Sequence, residues 1–303
     1  MKYITPNWLK NLTKKGKNLV AISDIKSNNI QSKIKGNLFY LLFAKPNIYL
    51  KVLLYRTLGM GLFTFFVWYS IKYFELTSFT IPSAMHSLIG IVIGLLLVFR
   101  TNTAYDRWWD GRKIIASVAS EVSIITARLD SLTIPQIEMY ESDRVVEIKK
   151  QLNDFLLSLR NYLTIGQDNQ HSLAFHIKQK NYLESLFRNV SYLKQDDNVK
   201  GMLNNSFLKL MEYSNQLERI KNTPIPLSYV FHIKVSVMIY LLTLPFGMFH
   251  DLGIWSVPLV MLIYYIIAGV EIISSEIENP FAGDPNDLPT HKLFKTMLET
   301  LKS

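Results

Sequence analysis

One stretch restricts this chain more than any other. Ile81–Phe99 runs for nineteen residues with His86 as its only ionisable group. A helix of that length spans ~28 Å, close to the ~30 Å hydrocarbon core of a bilayer. Three further apolar runs accompany it: about Val52–Ile71, interrupted by Arg56; about Tyr229–Phe249, with His232 and Lys234 near its start; and Ile254–Ile273, with Glu271 near its end. Buried helices of a large soluble protein are the alternative source of such runs. Four of them in 303 residues favour an all-α membrane protein with four transmembrane helices. Charged residues make up only 19% of the chain, below the ~25% of soluble domains.

The formal charge is +9, and it is local. Residues 1–51 hold ten lysines and one acid, Asp24, so the rest of the chain sums to zero. A solvated arm has this composition. Because an apolar run follows at once, a juxtamembrane segment drawn to anionic lipid is the preferred reading. Nucleic acid is not the expected partner, since interleaved aromatics are few there. Met1-Lys2-Tyr3 leads into polar sequence rather than the apolar core of a secretory signal.

The loops set the orientation. Between the first two runs Lys72 is balanced by Glu75, and His250–Gly253 holds no Lys or Arg. The positive-inside rule predicts both termini in the cytoplasm, in a multi-pass protein of the cell (inner) membrane. Trp68, Tyr69, Tyr73 and Trp255 near the run ends suit an aromatic belt. The chain reads as one domain, 1–303. It comprises a basic segment 1–51, spans at 52–71, 81–99, 229–249 and 254–273, a helical cytoplasmic region 100–227 and a cytoplasmic tail 274–303. In the cytoplasmic region Ile114, Val118, Val122 and Ile125 recur at helical spacing, as do Leu152, Phe155, Leu156 and Leu159. Pro135, Pro224 and Pro226 fit helix ends.

Catalytic patterns are missing. There is no phosphate loop, dinucleotide fingerprint, zinc-protease motif or nucleophile elbow, and no cofactor is implied. The cysteine count of zero removes thiolate metal sites and cysteine nucleophiles. His171 and His176 stand five apart, which does not set them on one helix face, so no metal site is expected.

The second run carries the most information. Pro82 and Ser83 suit a helix start, through the fixed φ of Pro and the capping capacity of Ser. Ile91, Leu95 and Phe99 form one stripe, with Gly90 and Gly94 beside it allowing close helix approach. Such a stripe most often marks ordinary helix packing. Directly after it the sequence turns charged and aromatic, as Arg100-Thr101-Asn102-Thr103-Ala104-Tyr105-Asp106-Arg107-Trp108-Trp109.

Phe99–Trp109 resembles the signature of the bestrophins in their bacterial form. Pro224-Ile225-Pro226-Leu227-Ser228-Tyr229 is similar to the family's entry to the third span. Ile277-Glu278-Asn279-Pro280-Phe281, followed by Asp284–Pro289, is similar to its segment after the last span. The order and spacing hold over about residues 40–290.

The resemblance implies a homopentameric ion channel. Four spans per subunit would surround one pore, and a helical cytoplasmic vestibule would extend it. It further implies a narrow apolar neck at Ile91, Leu95 and Phe99, gated by wetting and dewetting. Arg100, Asn102, Asp106, Arg107, Trp108 and Trp109 would be the pore-adjacent signature. Pro82 and Ser83 would form the helix start at the entrance, and Asn279, Pro280 and Phe281 the post-span motif. A second constriction at the cytoplasmic exit falls by counting near Val199, where a solvated helix residue is the competing reading. Animal members bind calcium through consecutive acids after Asn-Pro-Phe. Here Pro285 and Asn286 interrupt them, so no tight calcium site is expected.

Sequence points both ways on ion sign. The resemblance implies chloride or other monovalent anions, and helix starts at Pro82–Ser83 together with Arg100 favour them. Asp106, Asp110 and Glu121 would favour Na⁺ or K⁺, as in some bacterial relatives. Glu271 would be costly unpaired near membrane depth, and is expected to pair with Arg100 or Arg107. A secondary transporter, with Pro245 and Gly247 breaking the third run, or a non-conducting membrane sensor are the competing functions.

Overall fold

The computed structural model describes residues 48–74, 82–132, 139–165, 169–284 and 286–302. All regular structure among them is helical. The order is α1 Ile48–Tyr73, α2 Ser83–Ser131, α3 Met139–Thr164, α4 Asn169–Ser191, α5 Asp197–Asn222 and α6 Leu227–Leu252. A 3-10 turn, Gly253–Trp255, leads to α7 Ser256–Ile277, and α8 Thr290–Lys302 follows. Two compact units are distinguished, Met1–Leu58 and Gly59–Ser303, with their boundary inside α1. Most of the lysine-rich segment, Ile81, Pro135 and Pro285 lie outside the described residues.

Among the described residues, three stretches are long and apolar enough to cross a membrane: Leu50–Tyr73, Ala84–Ser131 and Leu227–Ile277. The third covers α6, the turn and α7. Gly253 makes the reversal, with φ 53° and ψ −128°, a conformation closed to residues with a Cβ. Lys234 Nζ near the start of α6 lies 3.6 Å from Glu271 Oε1 near the end of α7, so the two helices run antiparallel.

Pro245, expected to break the third run, instead sits inside α6, which continues to Leu252. Proline removes only one backbone bond, and close packing on a neighbouring helix holds the following turn. Pro258 falls in the first turn of α7, where its missing N–H costs nothing. Pro224 and Pro226 separate α5 from α6, with Pro226 as the N-cap of α6.

The longest element is α2, at 49 residues. Its length of ~73 Å is more than twice a hydrocarbon core. Polarity changes at Arg100, but conformation does not. No proline interrupts Ser83–Ser131. Gly111 is buried where a Cβ would come within 3.3 Å of Phe281 and Leu288.

α2 is the common partner of α5, α6, α7 and α8. Two cores form along it. The first gathers Ile93 and Leu97 of α2 with Ile233, Val237, Leu241 and Leu244 of α6, Val260 of α7 and Met60 of α1. Between lipid-embedded helices such a core is held by close packing rather than by water exclusion. The second joins Ile115, Val118, Val122 and Ile125 of α2 to Ile148, Leu152, Leu156 and Leu159 of α3, Phe207 of α5 and Phe294 of α8. Here each buried Leu or Ile contributes roughly 1.5–3 kcal/mol.

Candidate functional site

The apolar part of α2 has two unlike faces. Ile93 and Leu97 are 5% and 4% exposed, packed against α6 and α7, whereas Ile91, Leu95 and Phe99 are 71%, 54% and 54% exposed. At ~100° per residue the exposed stripe lies nearly opposite the packed one. Large apolar side chains in a continuous uncovered row need either lipid or another protein surface against them.

The helix begins at Ser83, with Pro82 as its N-cap, and Met85 N–H donates to Pro82 O at 3.0 Å. Pro82 itself makes no side-chain cap bond. His86 is buried just above the stripe. Its Nε2 lies 3.2 Å from Thr243 Oγ1, and Nδ1 has no partner. Gly247 makes this approach possible, since a Cβ there would stand 2.7 Å from His86 Nδ1.

Immediately below Phe99, Arg100 is wholly buried. Its Nη1 donates to Glu271 Oε1 at 3.1 Å, and its Nη2 donates to Ser275 Oγ at 2.8 Å and to Glu278 Oε2 at 3.4 Å. Ser275 Oγ donates in turn to Glu271 Oε1 at 3.2 Å. The cluster holds two cations, Arg100 and Lys234, and two carboxylates, so its formal charges balance. This corrects the expectation that Arg100 offers positive charge to passing ions. It points away from the exposed stripe and is already neutralised.

Arg107 works as a bracket. Its Nε donates to Glu278 O at 3.1 Å, Nη2 to Ile220 O at 2.6 Å and Nη1 to Thr223 O at 2.5 Å. Carbonyls at the end of α5 have no intrahelical donors, and the guanidinium supplies them. Trp108 Nε1 donates to Asn286 O at 3.1 Å. Asn102, Asp106 and Trp109 remain exposed. Glu121, considered for a vestibule, is 5% exposed because that turn of α2 faces the second core.

The Asn279-Pro280-Phe281 motif is structural in its packing. Phe281 is 3% exposed within the second core, Pro280 is buried and Asn279 is half-buried. Gly283 follows with φ 99°, and Asp287 Oδ2 accepts N–H bonds from Gly283 at 2.6 Å and Asp284 at 2.8 Å. Burial pushes the Asp287 carboxyl upward, with Asp284 and Glu276 adding repulsion against those two bonds. Val199 lies half-buried in the first turn of α5. His176 Nε2 is 2.9 Å from Glu218 Oε1, a polar contact between α4 and α5. Beside it Lys221 donates to Tyr162 O and to Ile165 O, with burial pushing its ammonium downward.

The structure therefore gathers Arg100, Arg107, Trp108, Pro280 and Phe281 where α2 meets α5, the end of α7 and the segment after it. It leaves Ile91, Leu95, Phe99, Asn102, Asp106 and Trp109 on uncovered surface. Ser275 and Glu278 were missed as partners of Arg100. Their offsets of four and seven from Glu271 place all three on one helix face, and that spacing was the available signal.

These features define a helical membrane protein with one long helix shared between an apolar layer and a polar helical layer. The chain belongs to the bestrophin family: the family described as Bacterial/Fungal Bestrophin protein matches residues 29–303. It is 35% identical over 224 residues to a voltage-dependent anion channel-forming protein of Nostoc sp., covering 69% of this chain and 73% of that one. A protein of the same description from Synechocystis sp. is 30% identical over 242 residues, covering 74% and 78%. The crystal structure of a bacterial bestrophin homolog from Klebsiella pneumoniae has the same fold. The TM-score is 0.73 at 22% identity, over 82% of this chain and 97% of that one.

Proposed function

We propose that this protein is a passive ion channel, a homopentamer in which α2 of each subunit lines a central pore and monovalent anions pass. Ile91, Leu95 and Phe99 form its neck, gated by dewetting. The observation that carries the reading is the exposed apolar stripe itself. It runs along the helix most firmly fixed by the rest of the chain and stands opposite the packed face. Five copies facing one axis would give that stripe a single surface to meet. The relatives described as voltage-dependent anion channel-forming proteins support the choice of ion.

In this reading α1, α2, α6 and α7 each cross the membrane. The Leu227–Ile277 stretch, at 51 residues, supplies two crossings because Gly253 folds it back. Arg100, Arg107 and Trp108 hold the pore helix in place, and Asn102, Asp106 and Trp109 face the vestibule. Pro82 and Ser83 open the helix at the outer entrance, and Val199 lies towards the cytoplasmic exit. The lysine-rich segment 1–51 keeps both termini in the cytoplasm, next to anionic lipid of the cell membrane.

Purified protein in a planar bilayer under a KCl gradient tests this. Current reversing near the chloride equilibrium potential is the expected result. Reversal near that of potassium would overturn the choice of ion. Absence of current from folded, assembled protein would overturn the channel.

A further inference from the structure

A purely apolar neck has no preference for either sign of charge, so selectivity must come from charged groups elsewhere on the path. The faces of α2 sort these groups. Arg100 is wholly buried and balanced by Glu271 and Glu278. Arg107 is committed to three backbone carbonyls. Glu121 is buried on the cytoplasmic core side. Lys113 falls on the exposed face but sits 2.8 Å from Asp110, and that pair carries no net charge. Asp106 is different. It is exposed, and no hydrogen bond or ion pair engages its carboxylate among the described residues.

Its direction follows from helix geometry. At ~100° per residue, Asp106 lies within roughly 20° of both Leu95 and Phe99 around the helix axis, whereas Arg100 is about 140° from Leu95. At ~1.5 Å per residue it stands about 10 Å below Phe99 along the axis.

We propose that Asp106 is the specificity-determining residue of this pore: its carboxylates form a ring on the cytoplasmic side of the neck and set how far cations share the path with anions. The proposal deepens the channel reading and rests on it. A ring of like charge in a low-dielectric channel concentrates counter-ions and depletes co-ions at the neck. Asp106 thus works against the anion preference and limits it.

The test is the chloride-to-potassium permeability ratio of bilayer-reconstituted protein, read from reversal potentials. Asp106→Asn should raise that ratio roughly 2- to 5-fold at 0.1 M salt, and Asp106→Lys should raise it further. Asp106→Glu, which keeps the charge, and Glu299→Gln, exposed on α8, should leave it unchanged. The effect should shrink at ~1 M KCl, where the Debye length falls to ~3 Å. A merely structural role would show no such salt dependence. An unchanged ratio in Asp106→Asn, or equal shifts in Asp106→Asn and Asp106→Glu, would overturn the proposal. The neck reading fails separately, if alanine at Ile91, Leu95 and Phe99 leaves current and gating as in the parent protein.

Discussion

Arg100 Nη1 and Glu271 Oε1 stand 3.1 Å apart across 171 residues of sequence, directly behind the lowest residue of the exposed apolar stripe. The pair ties the middle of α2 to the end of α7, and Lys234 of α6 joins the same carboxylate. Three membrane-layer helices therefore meet at one charge-balanced joint. Removing either carboxylate alone leaves the wholly buried Arg100 under-compensated. Glu271→Ala should cost about 3–5 kcal/mol, read as a lower unfolding temperature of the purified protein. Joint replacement of Arg100 by Met with Glu271 and Glu278 by Gln should recover most of that loss, because it removes the buried charges together.

Alanine at Ile91, Leu95 and Phe99 together should barely change folding of the subunit, since all three side chains are exposed in it. If these residues form the proposed neck, the same change should widen it and let water stay. Single-channel recordings should show longer open times and weaker closure. Parent-like gating in the triple variant would remove the neck from consideration.

Gly247→Ala should destabilise by about 1–3 kcal/mol, because the new Cβ would stand 2.7 Å from the His86 ring held on the neighbouring helix. Thermal unfolding in detergent reads this directly. Adding His86→Ser, which empties the space, should restore stability, and failure of that rescue would show that the close contact is not the cause.

Asp287 gives a pH dependence of defined sign. Burial raises its folded-state pKa above the ordinary 3.8, so the folded chain holds its proton more tightly than the unfolded one. The destabilisation is absent below the ordinary value and complete above the raised one, so stability falls as pH rises through that window. Asp287→Asn keeps an oxygen acceptor for the Gly283 and Asp284 amides while removing the charge. Its unfolding temperature should be flatter across the acid range and higher at neutral pH than that of the parent.

Micromolar Ca²⁺ should change neither current nor unfolding temperature. The Asp287 carboxylate is engaged by two backbone amides, and no group of three or more His, Cys, Asp or Glu side chains suited to a metal occurs among the described residues. Calorimetric titration with CaCl₂ checks the point, and a saturable heat in the micromolar range would refute it.

What the sequence determined was whatever depends on local pattern. Run lengths marked the apolar helices, because a span must satisfy its own backbone bonds over a fixed thickness. The four-residue spacing marked the stripe Ile91, Leu95 and Phe99, because side-chain direction repeats with the helix. The cost of an unpaired carboxylate pointed Glu271 towards an arginine. Tertiary structure decided what depends on which face is covered. Arg100 and Asp106 lie six residues apart in one signature, yet the first is wholly buried and the second exposed. Glu121 and Asp106 are both acids on one helix, and packing against the second core buries only the first. Pro245 reads as a break in isolation and is carried inside α6 by its neighbours. Burial is a property of pairs of elements brought together by the whole chain, and no single segment encodes it.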